Sequence, residues 1–163
     1  MKKLLFFILM FYPVYSFSQV GVKNFELNRY LGKWYEIARM PAGFEKDLTH
    51  VTAEYSLHKK GYVVVLNSGK KYGKLKVAKG KAKFAKEPTT GHLKVSFFGP
   101  FYGDYIIVDI DPDYQYVLVI SSKKYAWILS RKPQLDKNII DRYINKMKEY
   151  GINTERLIFT EQS

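Results

Sequence analysis

The chain has no cysteine in 163 residues, which excludes disulfides, thiol nucleophiles and thiolate metal sites together. Acidic residues are scarce: 15 Asp and Glu face 27 Lys and Arg, a formal charge of +12. Histidine occurs three times, at 50, 58 and 92, without the close spacing of a metal site, and reads as surface or loop histidine. There is no Gly-x-Ser-x-Gly elbow, Walker loop or dinucleotide fingerprint. These absences argue against an enzyme and imply neither metal nor cofactor. What the chain has in quantity is aromatic side chains, 14 Tyr and 11 Phe, spread through short apolar runs.

The first residues read as a targeting segment. Lys2 and Lys3 form a charged start, and Leu4 to Val14 is apolar but interrupted by Pro13 and too short to span a bilayer. Residues 1–18 are therefore expected to be a signal peptide, with Ser16 and Ser18 preceding cleavage before Gln19. A bacterial lipoprotein needs a cysteine at that point, so the expectation is an exported, unanchored protein, periplasmic or secreted. Residues 19–163 fit one domain with a full core. Losing Lys2 and Lys3 takes the charge from +12 to +10. Such a surface attracts acidic glycans, phospholipid headgroups and fatty carboxylates, while export disfavours nucleic acid as a partner.

From Trp34 to Arg131, short apolar runs are punctuated by Gly, Pro, Asn and Asp, the pattern of successive antiparallel strands. Eight are expected, over 33–41, 50–58, 61–68, 72–84, 92–98, 103–110, 115–121 and 125–131. An eight-stranded meander closes most economically as an up-and-down β-barrel, because closure removes both unpaired edges. Alternation puts Ala53, Tyr55, Leu57, Ala82, Phe84, Val95 and Phe97 inside, and Glu54, Lys81, Lys83 and Lys94 outside. The charged outer face argues against a membrane-spanning barrel.

The last three strands are apolar on both faces, as in Ile106-Ile107-Val108 and Val117-Leu118-Val119-Ile120, and need an outside cover. Residues 136–150 supply one: Ile139, Ile140, Tyr143, Ile144 and Met147 recur at helical spacing, with Asp136 as N-cap and Gly151 as stop. Leu157-Ile158-Phe159 is expected to add a short final strand.

Gly32-Lys33-Trp34-Tyr35 opens the first strand, its glycine allowing a tight turn and its indole lying across one barrel end. Arg131, ending the last barrel strand, would stack on that indole. Asp109-Ile110-Asp111-Pro112-Asp113 imitates the start of a calcium loop, but Tyr114 stands where that loop needs Gly and Ile120 where it needs Glu, so a turn between strands is the better reading.

Arg29 to Arg39, Val51 to Leu57, Leu93 to Gly103 and Trp127 to Arg131, in that order, resemble the lipocalins, and among them the bacterial members related to apolipoprotein D and the plant temperature-induced lipocalins. The resemblance covers nearly the whole mature chain. It implies a carrier holding a fatty acid, lysophospholipid or similar amphiphile inside the barrel. It also adds Val65, Asn67, Tyr105, Ile107, Val119, Tyr125 and Trp127 to the expected interior. Trp127 is the foremost expected ligand contact, with Asn67 and Tyr105 orienting a polar head. Gly32, Trp34 and Arg131 are assigned to structural closure of the base.

The lysines at 70, 71, 74, 76, 79, 81, 83 and 86 read as a solvated strand face, with a sharper alternative in which some ring the barrel mouth and meet an anionic membrane. A competing function is a basic exported polyanion-binding or envelope interaction module with a packed core. Catalysis would need a titratable pair inside. Only Glu36 and Asp109 are candidates, and a hydrogen-bonding role near the barrel base is the expectation for both. Monomer and homodimer are both compatible with the sequence.

Overall fold

Among the described residues, alternating apolar and polar side chains form nine strands, accompanied by one main helix. The computed structural model describes residues 20–163; the expected signal peptide, residues 1–18, lies outside the described residues. The elements are α1 (Leu27–Tyr30), β1 (Gly32–Arg39), β2 (Leu48–Leu57), β3 (Val63–Lys71), β4 (Lys74–Phe84), β5 (His92–Phe98), β6 (Phe101–Ile110), β7 (Tyr116–Ser122), β8 (Tyr125–Ser130), α2 (Lys137–Glu149) and β9 (Ile158–Phe159). From β1 to β8 each strand pairs antiparallel with the next, and β1 also pairs with β8, which closes an eight-stranded barrel, with β9 added on β1. The β1–β2, β3–β4, β5–β6 and β7–β8 connections therefore share one end of the barrel, the mouth, and the others share the base.

The base is a plug of aromatic rings. Gly32 adopts φ +93°, which turns the chain from α1 into β1 and leaves room for Arg131. The Arg131 guanidinium lies 3.8 Å from the centroid of the fully buried Trp34 ring. It donates to the carbonyls of Arg29, Leu31 and Lys33 at 2.8 to 3.0 Å. Trp34 in turn donates its indole N–H to the Tyr30 carbonyl at 2.8 Å. Phe25, Tyr30 and Tyr114 complete the plug, which joins one core cluster with Ala82, Ile107, Val117, Val119 and Leu129 in the lower barrel.

A second core lies outside the barrel. Tyr143 and Met147 of α2 are fully buried against Ile37, Ile106, Val108, Leu118, Ile120, Ala126 and Ile128, so the strands apolar on both faces have their cover. Asp136 caps α2 by accepting the Asn138 N–H at 2.8 Å, and Gly151 follows the helix at φ +75°.

Three features differ from the sequence expectation. The β3–β4 hairpin is longer, because Gly69 sits inside β3 opposite Lys76 and the turn falls on Tyr72-Gly73, both with positive φ. Leu57 is exposed rather than interior: β1 pairing ends at Tyr55, so Leu57 overhangs the base with no strand on that side to cover it. And β1 and β2 pair only from Gly32 to Tyr35, then part. The gap is filled by the C-terminal segment. β9 pairs with Ala38 and Arg39, the His50 N–H donates to the Glu161 carbonyl at 2.6 Å, and the Gln162 side chain donates to the Glu36 and Val51 carbonyls at 2.8 Å.

Candidate functional site

With the lower barrel filled, the upper half remains hollow. The cavity measures about 800 Å³ and opens at the mouth. Of the residues expected inside, Ala53, Tyr55, Val65, Asn67, Val95, Phe97, Tyr105, Tyr125 and Trp127 line it. Ala82, Phe84, Ile107 and Val119 do not. They lie below, where Ala82, Ile107 and Val119 are buried in the lower core and Phe84 packs against Phe25, their rings 6.3 Å apart. Alternation distinguishes the faces of a strand but not its depth in the barrel.

Tyr55, opposite Gly32 in the β1–β2 register, marks the deep end. Its hydroxyl shares a hydrogen bond with Tyr105 at 2.7 Å, and Tyr105 shares another with Tyr30 at 2.6 Å. Burial pushes the phenols of Tyr30 and Tyr105 well above their usual range and that of Tyr55 up to about 12, so all three stay protonated. Three hydroxyl protons serve two contacts, which leaves one to point elsewhere. Higher on the wall, Asn67 Oδ1 is buried without a hydrogen-bond partner.

The mouth is crossed by the β1–β2 connection, which brings Phe44, Glu45 and Lys46 to the cavity. Sequence reasoning missed all three, since an irregular loop carries no period. Arg39 holds this loop: it donates to the Glu45 carbonyl at 2.9 Å and forms a buried ion pair with Glu36 at 2.6 Å. Glu36 also accepts from the Thr160 hydroxyl. The Glu45 carboxyl accepts the Trp127 indole N–H at 3.1 Å, and burial, with the negative charge of Glu36 beside it, pushes the Glu45 pKa up to about 8. Tyr125 stacks on Trp127 and meets Phe44. Lys46, Lys71 and Lys76 line the same region, whereas Lys79, Lys81 and Lys83 are exposed and line no part of the cavity.

The proposed interior acids separate. Glu36 lines the cavity rather than the base. Asp109 lies outside the barrel under α2, accepting from Tyr143 at 3.2 Å and pairing with Lys146. Asp111 accepts the N–H groups of Asp113 and Gln115 at 3.1 Å and shapes the β6–β7 turn. His92, half-buried in β5, pairs with Asp104 at 2.6 Å.

Residues 25–162, which build this plugged barrel and its outer helix, match the lipocalin-like domain family. The chain is a lipocalin. It is 48% identical over 145 residues to an outer membrane lipoprotein, Blc, of Vibrio cholerae, covering 86% of this chain and 85% of that protein. It is 36% identical over 153 residues to temperature-induced lipocalin-1 of Arabidopsis thaliana, covering 87% and 82%. Insecticyanin from the tobacco hornworm Manduca sexta superposes with a TM-score of 0.74 at 25% identity, covering 93% of this lipocalin and 88% of that chain. This lipocalin thus belongs with the bacterial members of a group that includes the plant proteins and apolipoprotein D.

The relatives correct one expectation. The reading of the mature chain as unanchored, free in the periplasm or medium, rested on the lack of cysteine, and the matching proteins of Vibrio cholerae, Citrobacter freundii and Escherichia coli are outer membrane lipoproteins. One missing residue type does not set the compartment in which a family works.

Proposed function

We propose that this lipocalin is a lipid carrier or store that holds a single-chain amphiphile, a fatty acid or lysophospholipid, with the acyl chain down the barrel and the head at the mouth. The observation that carries the reading is the gradient along the cavity. The wall is apolar and aromatic around Val65, Val95, Phe97 and Trp127, and the cations Lys46, Lys71 and Lys76 stand at the opening. Asn67 Oδ1, a buried acceptor without a partner, suits a hydroxyl such as that of a glycerol. The alternative of a polyanion-binding module presumes a packed core, and the hollow upper half counts against it.

Burying a methylene contributes about 0.8 kcal/mol, so a chain of about sixteen carbons gains on the order of 10 kcal/mol gross. Association costs roughly 4 to 15 kcal/mol, so micromolar binding, about 8 kcal/mol net, requires a cost at the low end of that range, as a preformed cavity allows. No catalytic group is needed. The test is displacement of a fluorescent fatty acid by lysophospholipid in solution: competitive 1:1 displacement supports the reading, and absence of uptake of both lipids overturns it.

A further inference from the structure

The large apolar side chains left exposed are distributed very unevenly. Among the described residues, Val20 and Leu57 are the two exposed ones near the base. The rest gather at the mouth or on the strand segments leading to it. Phe44 on the β1–β2 connection is 71% exposed, Tyr72 at the β3–β4 tip 80%, and Phe98 and Phe101 at the β5–β6 tip 84% and 78%. Three of the four mouth loops thus present aromatic rings to solvent. The fourth, between β7 and β8, presents Lys123 and Lys124. Lys46, Lys71, Lys74 and Lys76 add positive charge to the same end. The acids there are largely engaged: Glu45 is buried, and Asp47 accepts from Tyr72 and pairs with Lys71.

We propose that the mouth is a docking surface for an anionic lipid bilayer. Aromatic rings on short loops suit the interfacial zone of a membrane, where one edge of the ring is apolar and the other wet. Lysines set among them meet acidic headgroups. A second copy of the chain fits this face less well, because pairing it with itself brings two cationic surfaces together. Docked in this way, the cavity opens onto the bilayer and an acyl chain passes between them without crossing water. That loading route rests on the carrier reading; the docking does not.

The experiment is flotation of the mature full-length protein with vesicles of phosphatidylglycerol and phosphatidylethanolamine, against vesicles of phosphatidylcholine. The wild type is compared with Tyr72→Asn/Phe101→Ser and with Lys74→Glu/Lys123→Glu/Lys124→Glu. These positions are exposed and do not line the cavity, so melting temperature and uptake of a fluorescent fatty acid from solution remain at wild-type values. The wild type is expected to float with the anionic vesicles and to lose at least tenfold of its partitioning on phosphatidylcholine, in high salt, or in either variant. Equal partitioning of wild type and variants, or none by the wild type, overturns the proposal. So does a loss of dimer mass in the aromatic variant with vesicle binding unchanged, which assigns the face to self-association. Vesicle binding with no uptake of the fluorescent fatty acid leaves the docking standing and removes the carrier reading instead.

Discussion

Trp127 donates its indole N–H to the carboxyl of Glu45 at 3.1 Å, tying β8 to the loop that crosses the barrel mouth. Glu45 holds its proton up to about pH 8, against 4.5 for an exposed carboxyl, because it is buried with Glu36 beside it. Arg39 on the same side only partly offsets this.

Between those two values the folded protein binds a proton that the unfolded chain has released. The contribution is full below about pH 4.5 and is lost as pH rises through about 8, at up to about 1.4 kcal/mol per pH unit. Glu45→Gln keeps an acceptor for Trp127 and cannot ionise. Urea unfolding across this range is expected to show falling stability for the wild type and a flatter profile for the variant. Parallel profiles would contradict the account.

Arg131 closes the base by stacking on Trp34 and donating to several carbonyls. Losing charge-assisted hydrogen bonds and a cation–π contact together is expected to cost about 2 to 4 kcal/mol in Arg131→Ala. Arg131→Lys recovers little, since an ammonium cannot reproduce the planar fork. Chemical denaturation checks the cost. Loss of ligand binding with an unchanged unfolding midpoint would instead place Arg131 in the binding site.

The C-terminal segment seals the seam where β1 and β2 part. Deleting residues 160–163 removes the Thr160 contact to Glu36, the Gln162 bonds to Glu36 and Val51, and the partner of the His50 amide. At about 1 kcal/mol net for each of these four hydrogen bonds, the loss is on the order of 4 kcal/mol. Hydrogen exchange is expected to accelerate at His50 while the β6–β7 amides stay protected. Unchanged protection at His50 would show that the seam holds without the segment.

Much of this architecture is legible in the sequence, for physical reasons. A strand with one wet face writes its burial into alternation, which is how Ala53, Tyr55, Val95 and Phe97 are found. A helix that covers a sheet writes its burial at helical spacing, which is how Tyr143 and Met147 are found. Depth along the barrel leaves no such trace, so Ala82, Ile107 and Val119 look the same as Val65 until the plug is seen. Glu45 and the seam at Thr160 belong to irregular backbone, where position comes from tertiary contacts. Gly69 reads as a turn because glycine often is one, yet Tyr72-Gly73 supplies the positive φ pair the hairpin uses.

Asn67 places an unsatisfied carbonyl oxygen in the cavity wall. Asn67→Leu is expected to stabilise the empty protein by about 1 kcal/mol, by removing a buried polar atom without a partner. The same change is expected to weaken lysophospholipid binding about tenfold, at about 1.4 kcal/mol for one hydrogen bond, and fatty acid binding less. Thermal melts and paired titrations decide the matter. Equal loss for the two lipids would remove Asn67 from head recognition.

The central claim is that the hollow upper barrel holds an acyl lipid against Trp127. Native mass spectrometry of the mature protein from an exporting host, with Trp127→Ala beside it, tests this most directly. The account predicts a co-purifying fatty acid or lysophospholipid at one per chain in the wild type and its loss or sharp depletion in the variant. An empty wild type that also refuses added lipid would contradict it.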